Sequence, residues 1–134
     1  MKRHVFLALL GLAVFVAILT GCSNGSSSSS PSTLYDVTGD WEVAAVGMGN
    51  LVFHLNQNAQ GAISGTVDRS VVGGSDNGTI TGGSNTNNNI TINITFDDGM
   101  TATFTGTVTD ANNMNGRYTD SQNGSDAWSA TRSQ

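Results

Sequence analysis

The sequence predicts an all-β fold for residues 34–134, in which eight antiparallel strands form an up-and-down meander that closes into a barrel. Apolar and polar residues alternate in short runs, and no run carries an apolar stripe at the 3.6-residue spacing of a helix. Turn-forming residues separate the runs at intervals of about 8–12 residues, which is typical of a β-sandwich or a β-barrel. An antiparallel β-sandwich is the alternative architecture.

The firmest element is the hairpin centred on Asp98-Gly99, a residue pair favoured in tight turns. Before it, residues 90–96 read Ile-Thr-Ile-Asn-Ile-Thr-Phe, and residues 100–108 alternate in the same way. The same alternation predicts, in chain order, strands at 37–46, 51–57, 61–68, 77–83, 88–96, 100–109, 113–119 and 126–132. Clusters of Gly, Asn and Asp predict the turns between them, at 47–50, 58–61, 73–77, 83–89, 98–99, 110–113 and 122–124.

A weak internal repeat favours one curved sheet over two flat ones. The segments ISGTV (63–67), ITGGS (80–84), FTGTV (104–108) and MNGRY (114–118) each place a glycine two residues after an apolar residue. Residues two apart on a strand share a face, so the repeat predicts inward positions for Gly65, Gly82, Gly106 and Gly116. Glycine permits the bends that a barrel wall needs.

The two ends of the domain resemble the calycin superfamily of lipocalins, fatty-acid-binding proteins and avidins. Gly39-Asp40-Trp41 opens the first predicted strand, and the last one runs from Trp128 to Arg132. The resemblance implies that Trp41 and Arg132 form a barrel-closure pair, in which the basic side chain packs on the indole. The length fits avidin-like barrels better than full lipocalins. A Thr-Asp-Tyr motif, a C-terminal helix and the polar contacts for biotin are not found in the sequence.

The first 21 residues predict export. Lys2 and Arg3 form a basic start, and an apolar run over residues 5–19 follows. A membrane-spanning helix needs about 20 apolar residues, and this run is shorter. Residues 1–21 are therefore predicted to be a secretory signal peptide.

Leu19-Thr20-Gly21-Cys22 resembles the lipobox of bacterial lipoproteins. The resemblance implies that Cys22 is lipidated and becomes the N-terminus, and that its acyl chains anchor the protein to a membrane. A serine after the cysteine implies the outer membrane of a Gram-negative host, or otherwise the outer face of the plasma membrane. Residues 22–33 then form a serine-rich tether whose flexible part spans about 18 Å. Cys22 is the only cysteine, so an intrachain disulfide is excluded.

The charge of the predicted mature chain excludes several classes of function. It has three arginines, no lysine and ten acidic residues, a net charge of −7, which would repel nucleic acid and anionic lipid. His54 is its one histidine, and no nucleophile–base pair is evident. Asp110 and Asp120 lie in loops rich in oxygen ligands for calcium, but neither loop has EF-hand spacing. We therefore expect no enzymatic activity, no cofactor and no metal.

Two functions fit these observations. The first is a structural or protein-interaction module, in which a barrel filled by its own side chains presents its outer surface to another envelope protein. The second is a binding module for a small apolar or amphipathic ligand in the lumen. An eight-stranded barrel is wide enough for either. The candidate lumen residues are the inward aromatic side chains Trp41, Phe53, Phe104, Tyr118 and Trp128.

Overall fold

A computed structural model describes residues 33–134. The expected signal peptide, Cys22 and nearly all of the tether lie outside the described residues. The strands are β1 (Gly39–Ala45), β2 (Gly49–Gln57), β3 (Ile63–Val71), β4 (Gly74–Thr86), β5 (Asn89–Phe96), β6 (Thr101–Asp110), β7 (Asn113–Asp120) and β8 (Ser125–Arg132). In this part of the chain, no helix is long and apolar enough to cross a bilayer.

The eight strands form a closed barrel in which each strand pairs antiparallel with the next. The last strand returns to the first, and the pairing runs from Trp41 opposite Arg132 to Ala45 opposite Trp128. The predicted up-and-down barrel is therefore confirmed. The β-sandwich alternative is wrong, because a sandwich leaves free sheet edges and here the first and last strands pair.

Strand β4 is longer than the sequence predicts. Residues Gly74 to Asn77, expected in a turn, instead pair with the end of β3, so only Val72 and Gly73 connect the two strands. At its other end, β4 continues to Thr86 because the turn into β5 needs only Asn87 and Asn88, at φ values of 52° and 65°. Asparagine tolerates this left-handed conformation, which tight hairpins require.

The two ends of the barrel differ in what they contain. Because strand direction alternates, β1 begins at the same end as the β2–β3, β4–β5 and β6–β7 turns. We call this end the N-terminal mouth. The opposite end carries the β1–β2, β3–β4, β5–β6 and β7–β8 turns, and we call it the distal mouth.

Three of the four glycines expected to face inward do so. Gly106 pairs with Gly116, and Gly65 pairs with the inward Leu55. Gly82 is a correction: a bulge between Ile80 and Gly82 shifts the register, so Gly82 pairs with Asn93 on the outer face. Gly83 takes the inward place opposite Ile92. A bulge moves side chains to the other face and adds bend, which periodicity alone could not predict.

The paired glycines of β6 and β7 allow a tryptophan to lie against the strand backbones. Trp128 is the partner of Gly116 on β8. Its indole Nε1 donates to the carbonyl oxygens of Thr105 and Arg117, at 3.0 and 3.1 Å. A Cβ at Gly106 would overlap the Asn115 carbonyl and lie 2.9 Å from the Cα of Gly116. Glycine is therefore required here for the close approach of two strands.

We expect Gly106→Ala to destabilise the protein by about 1–3 kcal/mol, because the added methyl group forces β6 and β7 apart. Urea unfolding followed by tryptophan fluorescence measures the loss. Gly82→Ala is the matched control: its Cβ would lie 3.8 Å from the Nδ2 of Asn93, an ordinary contact, so its effect should stay within about 0.5 kcal/mol. Equal effects at the two positions would contradict the assigned register.

Candidate functional site

Four of the five expected lumen residues form one aromatic cluster around Phe104. The Phe104 ring meets Phe53 edge-on with centroids 5.1 Å apart, stacks on Tyr118 at 5.4 Å, and meets Trp128 edge-on at 5.5 Å. These are favourable geometries for aromatic pairs. All four side chains are buried, and so is Trp41. The protein's own side chains thus occupy the positions at which a luminal ligand would sit.

Arg132 and Trp41 meet at the N-terminal mouth. The guanidinium carbon of Arg132 lies 4.4 Å from the Trp41 ring centroid, a cation–π contact. The same side chain donates to the carbonyl oxygens of Ala111 at 2.9 Å and Asp36 at 2.7 Å, and also to that of Thr38. One arginine therefore joins the aromatic core, the β6–β7 turn and the segment that precedes β1.

Residues 33–38, which we call the strap, run across the N-terminal mouth. The strap begins at the β4–β5 turn, where both polar atoms of the Asn88 amide bind the backbone of Thr33 and Tyr35 at 2.9 and 2.8 Å. It ends at β1, where Trp41 Nε1 donates to the carbonyl of Val37 at 2.8 Å. Val37 is fully buried. Since β1 and the β4–β5 turn lie on opposite sides of the barrel, the strap covers the mouth.

The mouth also holds a buried amide. Asn85 is 2% exposed, and its Nδ2 donates to the carbonyl of Tyr35 at 2.8 Å and to Gln57 Oε1 at 3.0 Å. Its Oδ1 has no hydrogen-bond partner among the described residues. The two hydrogen bonds that Nδ2 donates thus hold the strap and the end of β2 together. This role of Asn85 was not predicted from the sequence, because a lone asparagine in a turn-rich stretch gives no signal of burial.

Arg69 closes the distal mouth, a role that was not predicted from the sequence. Its guanidinium lies 4.4 Å from the Phe96 ring centroid and forms ion pairs with Asp76 and, at 2.8 Å, with Asp98. The Met100 N–H, together with Arg69, holds the pKa of Asp98 below its usual value. Alternation along β3 does place Arg69 on the inner face with Val67. The inward position that alternation gives Arg69 was therefore the signal in the sequence for a buried arginine.

Tyr118 links the core to the β1–β2 turn at the same mouth. Its hydroxyl donates to the carbonyl oxygen of Val46. Burial raises the pKa of the phenol, and the nearby carboxylates of Asp120 and Asp126 raise it further. The hydroxyl therefore stays protonated at neutral pH and acts as a donor.

His54 lies on the outer wall between two carboxylates. Its Nδ1 is 2.7 Å from Asp40 on β1, and its Nε2 is 3.1 Å from Asp68 on β3. These hydrogen bonds raise the pKa of the imidazole above its usual value. Because the two carboxylates bind opposite ring nitrogens, they do not converge on one point. The residues that the structure describes contain no group of three or more His, Cys, Asp or Glu side chains arranged to hold a metal ion.

The two loops considered for calcium use their carboxylates to stabilise turns. Asp110 Oδ1 accepts from the backbone N–H of Asn112 at 2.8 Å, and both its oxygens accept from the Asn113 amide. Asp120 Oδ1 accepts from the N–H groups of Gln122 and Gly124, at 2.8 and 2.7 Å. An aspartate that bonds the backbone two residues later forms an Asx turn. The density of Asp and Asn in these loops is therefore explained by turn formation.

A shallow depression follows the seam where β8 pairs with β1. It comprises two adjoining grooves of about 470 Å³ each, both on the outer wall. Small outward side chains make room for it, since Ala44 faces Ser129 across the seam. Toward the distal mouth the second groove is lined by Ala44, Val46, Gly49, Asn50, Ala127 and Ser129.

We expect Arg132→Ala to lower the free energy of unfolding by about 2 kcal/mol, because it removes a cation–π contact and several hydrogen bonds to backbone carbonyls. Urea unfolding measures the change. Arg117→Ala is the matched control, because Arg117 is exposed on the outer face of β7, and it should change stability by less than about 0.5 kcal/mol. Equal free energies of unfolding in the two variants would show that Arg132 does not stabilise the mouth.

We expect His54 to make stability depend on pH near neutrality. A raised folded-state pKa means that the native state binds the proton more tightly, so the stabilisation is full below about pH 6.5 and is lost as pH rises through the folded-state pKa. The unfolding midpoint in urea should fall from pH 5.5 to pH 8.5 in the wild type and stay nearly level in His54→Gln. A wild-type midpoint that rises over this range would contradict the assignment.

Neither protein-family models nor curated proteins match this chain. Solved structures do match it, among them one described as a redesigned β-barrel. That likeness has a TM-score of 0.62 and 13% sequence identity, and it covers 72% of this chain and 91% of the other. At this identity the likeness shows the fold alone: this chain forms an eight-stranded antiparallel β-barrel.

Proposed function

We propose that the protein is an exported lipoprotein, anchored to the bacterial envelope through Cys22, whose barrel is a structural or protein-interaction module without enzymatic activity. In a Gram-negative host its place is the outer membrane, and otherwise the outer face of the plasma membrane. The basic start, the apolar run and the lipobox-like Leu19 to Cys22 support the anchor. The acyl chains would hold the protein at the membrane, because each buried CH₂ contributes about 0.8 kcal/mol to membrane binding.

The filled lumen is the observation that favours an interaction module over a ligand carrier. Phe104 packs on three aromatic neighbours at the centre, the strap covers the N-terminal mouth, and Arg69 covers the distal one. Ligand pockets are usually concave and largely formed in advance. A small molecule in this lumen would have to displace well-packed side chains. The outer wall and the turns are the surfaces that remain for binding.

The Trp41–Arg132 contact supports a calycin-like barrel within this proposal. A Gly-x-Trp at the start of β1 and a basic residue at the end of β8 form the closing pair in that superfamily, and Gly39, Trp41 and Arg132 occupy these places. The resemblance is limited to this end of the barrel, and no ligand is inferred from it.

The anchor is tested with Cys22→Ser. We expect wild-type protein expressed in a bacterium to incorporate labelled palmitate and to sediment with membranes, and the variant to take up no label and to leave the membrane fraction. Ser23→Ala is the matched control and should behave as wild type with respect to labelling. Wild-type protein that takes up no label would contradict the lipoprotein assignment.

The filled barrel is tested by native mass spectrometry of protein purified from its own host, after removal of the anchor lipid. The interaction module predicts the mass of the polypeptide alone. A stoichiometric small molecule that is retained by wild type would instead support the ligand-binding alternative.

A further inference from the structure

An exposed apolar surface lies at one corner of the distal mouth. Among residues 33–134 the exposed large hydrophobic side chains are those of Leu34, Val46, Val71 and Val72. Val46 lies in the β1–β2 turn, Val71 ends β3, and Val72, which is completely exposed, lies in the β3–β4 turn. The two turns are neighbours, since the Cγ1 of Val71 lies 3.5 Å from where a Cβ on Gly49 would stand. We call Val46, Val71 and Val72 the valine corner.

The valine corner continues into the second of the two grooves along the seam between β1 and β8. Val46 lines that groove together with the exposed Ala44 of β1 and Ala127 of β8. The apolar surface thus has both a projecting part, the two turns, and a recessed part beside it. Single exposed hydrophobic residues are common on proteins, whereas contiguous ones mark binding surfaces.

The fold does not require valine at this corner. Val72 and Gly73 alone connect β3 to β4, and such two-residue connections favour Gly, Asn and Asp over β-branched residues. The β4–β5 turn of the same barrel follows that preference with Asn87 and Asn88. The rest of the outer wall is mainly Thr, Ser and Asn. The apolar corner is therefore an exception that structural stability does not explain.

The charge around the distal mouth indicates what covers the corner. Half of the ten acidic residues lie on this end of the barrel: Asp76, Asp97, Asp98, Asp120 and Asp126. Two cations lie toward this end, Arg69, which is buried and paired with Asp76 and Asp98, and the exposed Arg117, which is opposite Ala127; the five carboxylates outnumber them. The accessible rim is thus negative, and it would repel anionic lipid and a second copy of the same rim. A complementary partner has basic residues around an apolar pocket.

The valine corner lies at the end of the barrel opposite to the point where the chain enters it. The chain enters the barrel at Thr33, beside the β4–β5 turn of the N-terminal mouth. If Cys22 is lipidated, as the proposed function holds, the tether joins the membrane to that mouth. The distal mouth, with the valine corner, then lies on the side opposite to the attachment.

We propose that the valine corner is the docking surface for another envelope protein, which receives Val46, Val71 and Val72 in an apolar pocket bordered by Lys and Arg. This inference deepens the proposed function, on which its orientation rests. Burying the three valines supplies affinity, because apolar area leaves water. The acidic rim speeds encounter and excludes other copies of this chain.

The test is site-specific photo-crosslinking of the full-length protein in its own host. A benzophenone amino acid replaces Val72, and the matched control places it at Ala111, an exposed turn residue of the N-terminal mouth. We expect a discrete adduct with one other protein at Val72 and none at Ala111. Peptide mapping should place the crosslink beside Lys or Arg residues of the partner. In the Val72 background, Val46→Lys should lower the yield about tenfold, because it puts a charge into the apolar contact and sets that charge against the basic border of the partner.

Four results would overturn the docking surface: no adduct at Val72, an adduct only with lipid, an adduct only with a second copy of this chain, or equal yields at Val72 and Ala111. Thermal unfolding of Val46→Lys shows whether the barrel is intact, and Val46→Thr, which is close in shape and uncharged, should retain most of the yield. Membrane fractionation of the same cells tests the anchor separately. Anchored protein without an adduct refutes the corner alone, and crosslinked protein that is not anchored refutes the lipoprotein assignment alone.

Discussion

The pairing of β1 with β8 is the constraint on which the rest of the structure depends. It joins five residue pairs, from Trp41 opposite Arg132 to Ala45 opposite Trp128. Without it the sheet would expose two free edges, which invite association with other chains. Closure also turns one face of every strand inward, so the Thr and Asn of the other face become the outer wall. The short pairing brings both tryptophans to the seam.

Each mouth is closed by an arginine placed over an aromatic ring. Arg132 lies over Trp41 at one end and Arg69 over Phe96 at the other, both with 4.4 Å between cation and ring. The chain after residue 33 has only three arginines and no lysine, so two of its three permanent cations serve this purpose. Both also bind oxygen atoms of turns or of the strap. A barrel of eight strands has a small core, and these caps extend it to its ends.

A filled, capped barrel leaves its outer wall and its turns as the surfaces that other molecules can reach. The wall is polar and evenly patterned, which limits non-specific contact, and the apolar exception is confined to the valine corner and the adjoining groove. The His54 cluster with Asp40 and Asp68 lies on the wall across β1, β2 and β3. It adds a proton-dependent contribution to the stability of these strands. The turns of the distal mouth carry the acidic residues that would orient a partner.

The sequence by itself determined the fold class, the number of strands and the inward aromatic set, because period-two alternation directly reports which face of a strand is buried. The contact between Trp41 and Arg132 was also predicted from the sequence, through a resemblance to the calycin superfamily. Only the tertiary structure decided the strap, the buried Asn85 and the Arg69 cap, since these depend on contacts between residues far apart in the chain, such as Thr33 with Asn88 and Arg69 with Asp98. The bulge that turned Gly82 outward and Gly83 inward was likewise a matter of register between β4 and β5. Alternation cannot show such a shift, because it describes one strand at a time.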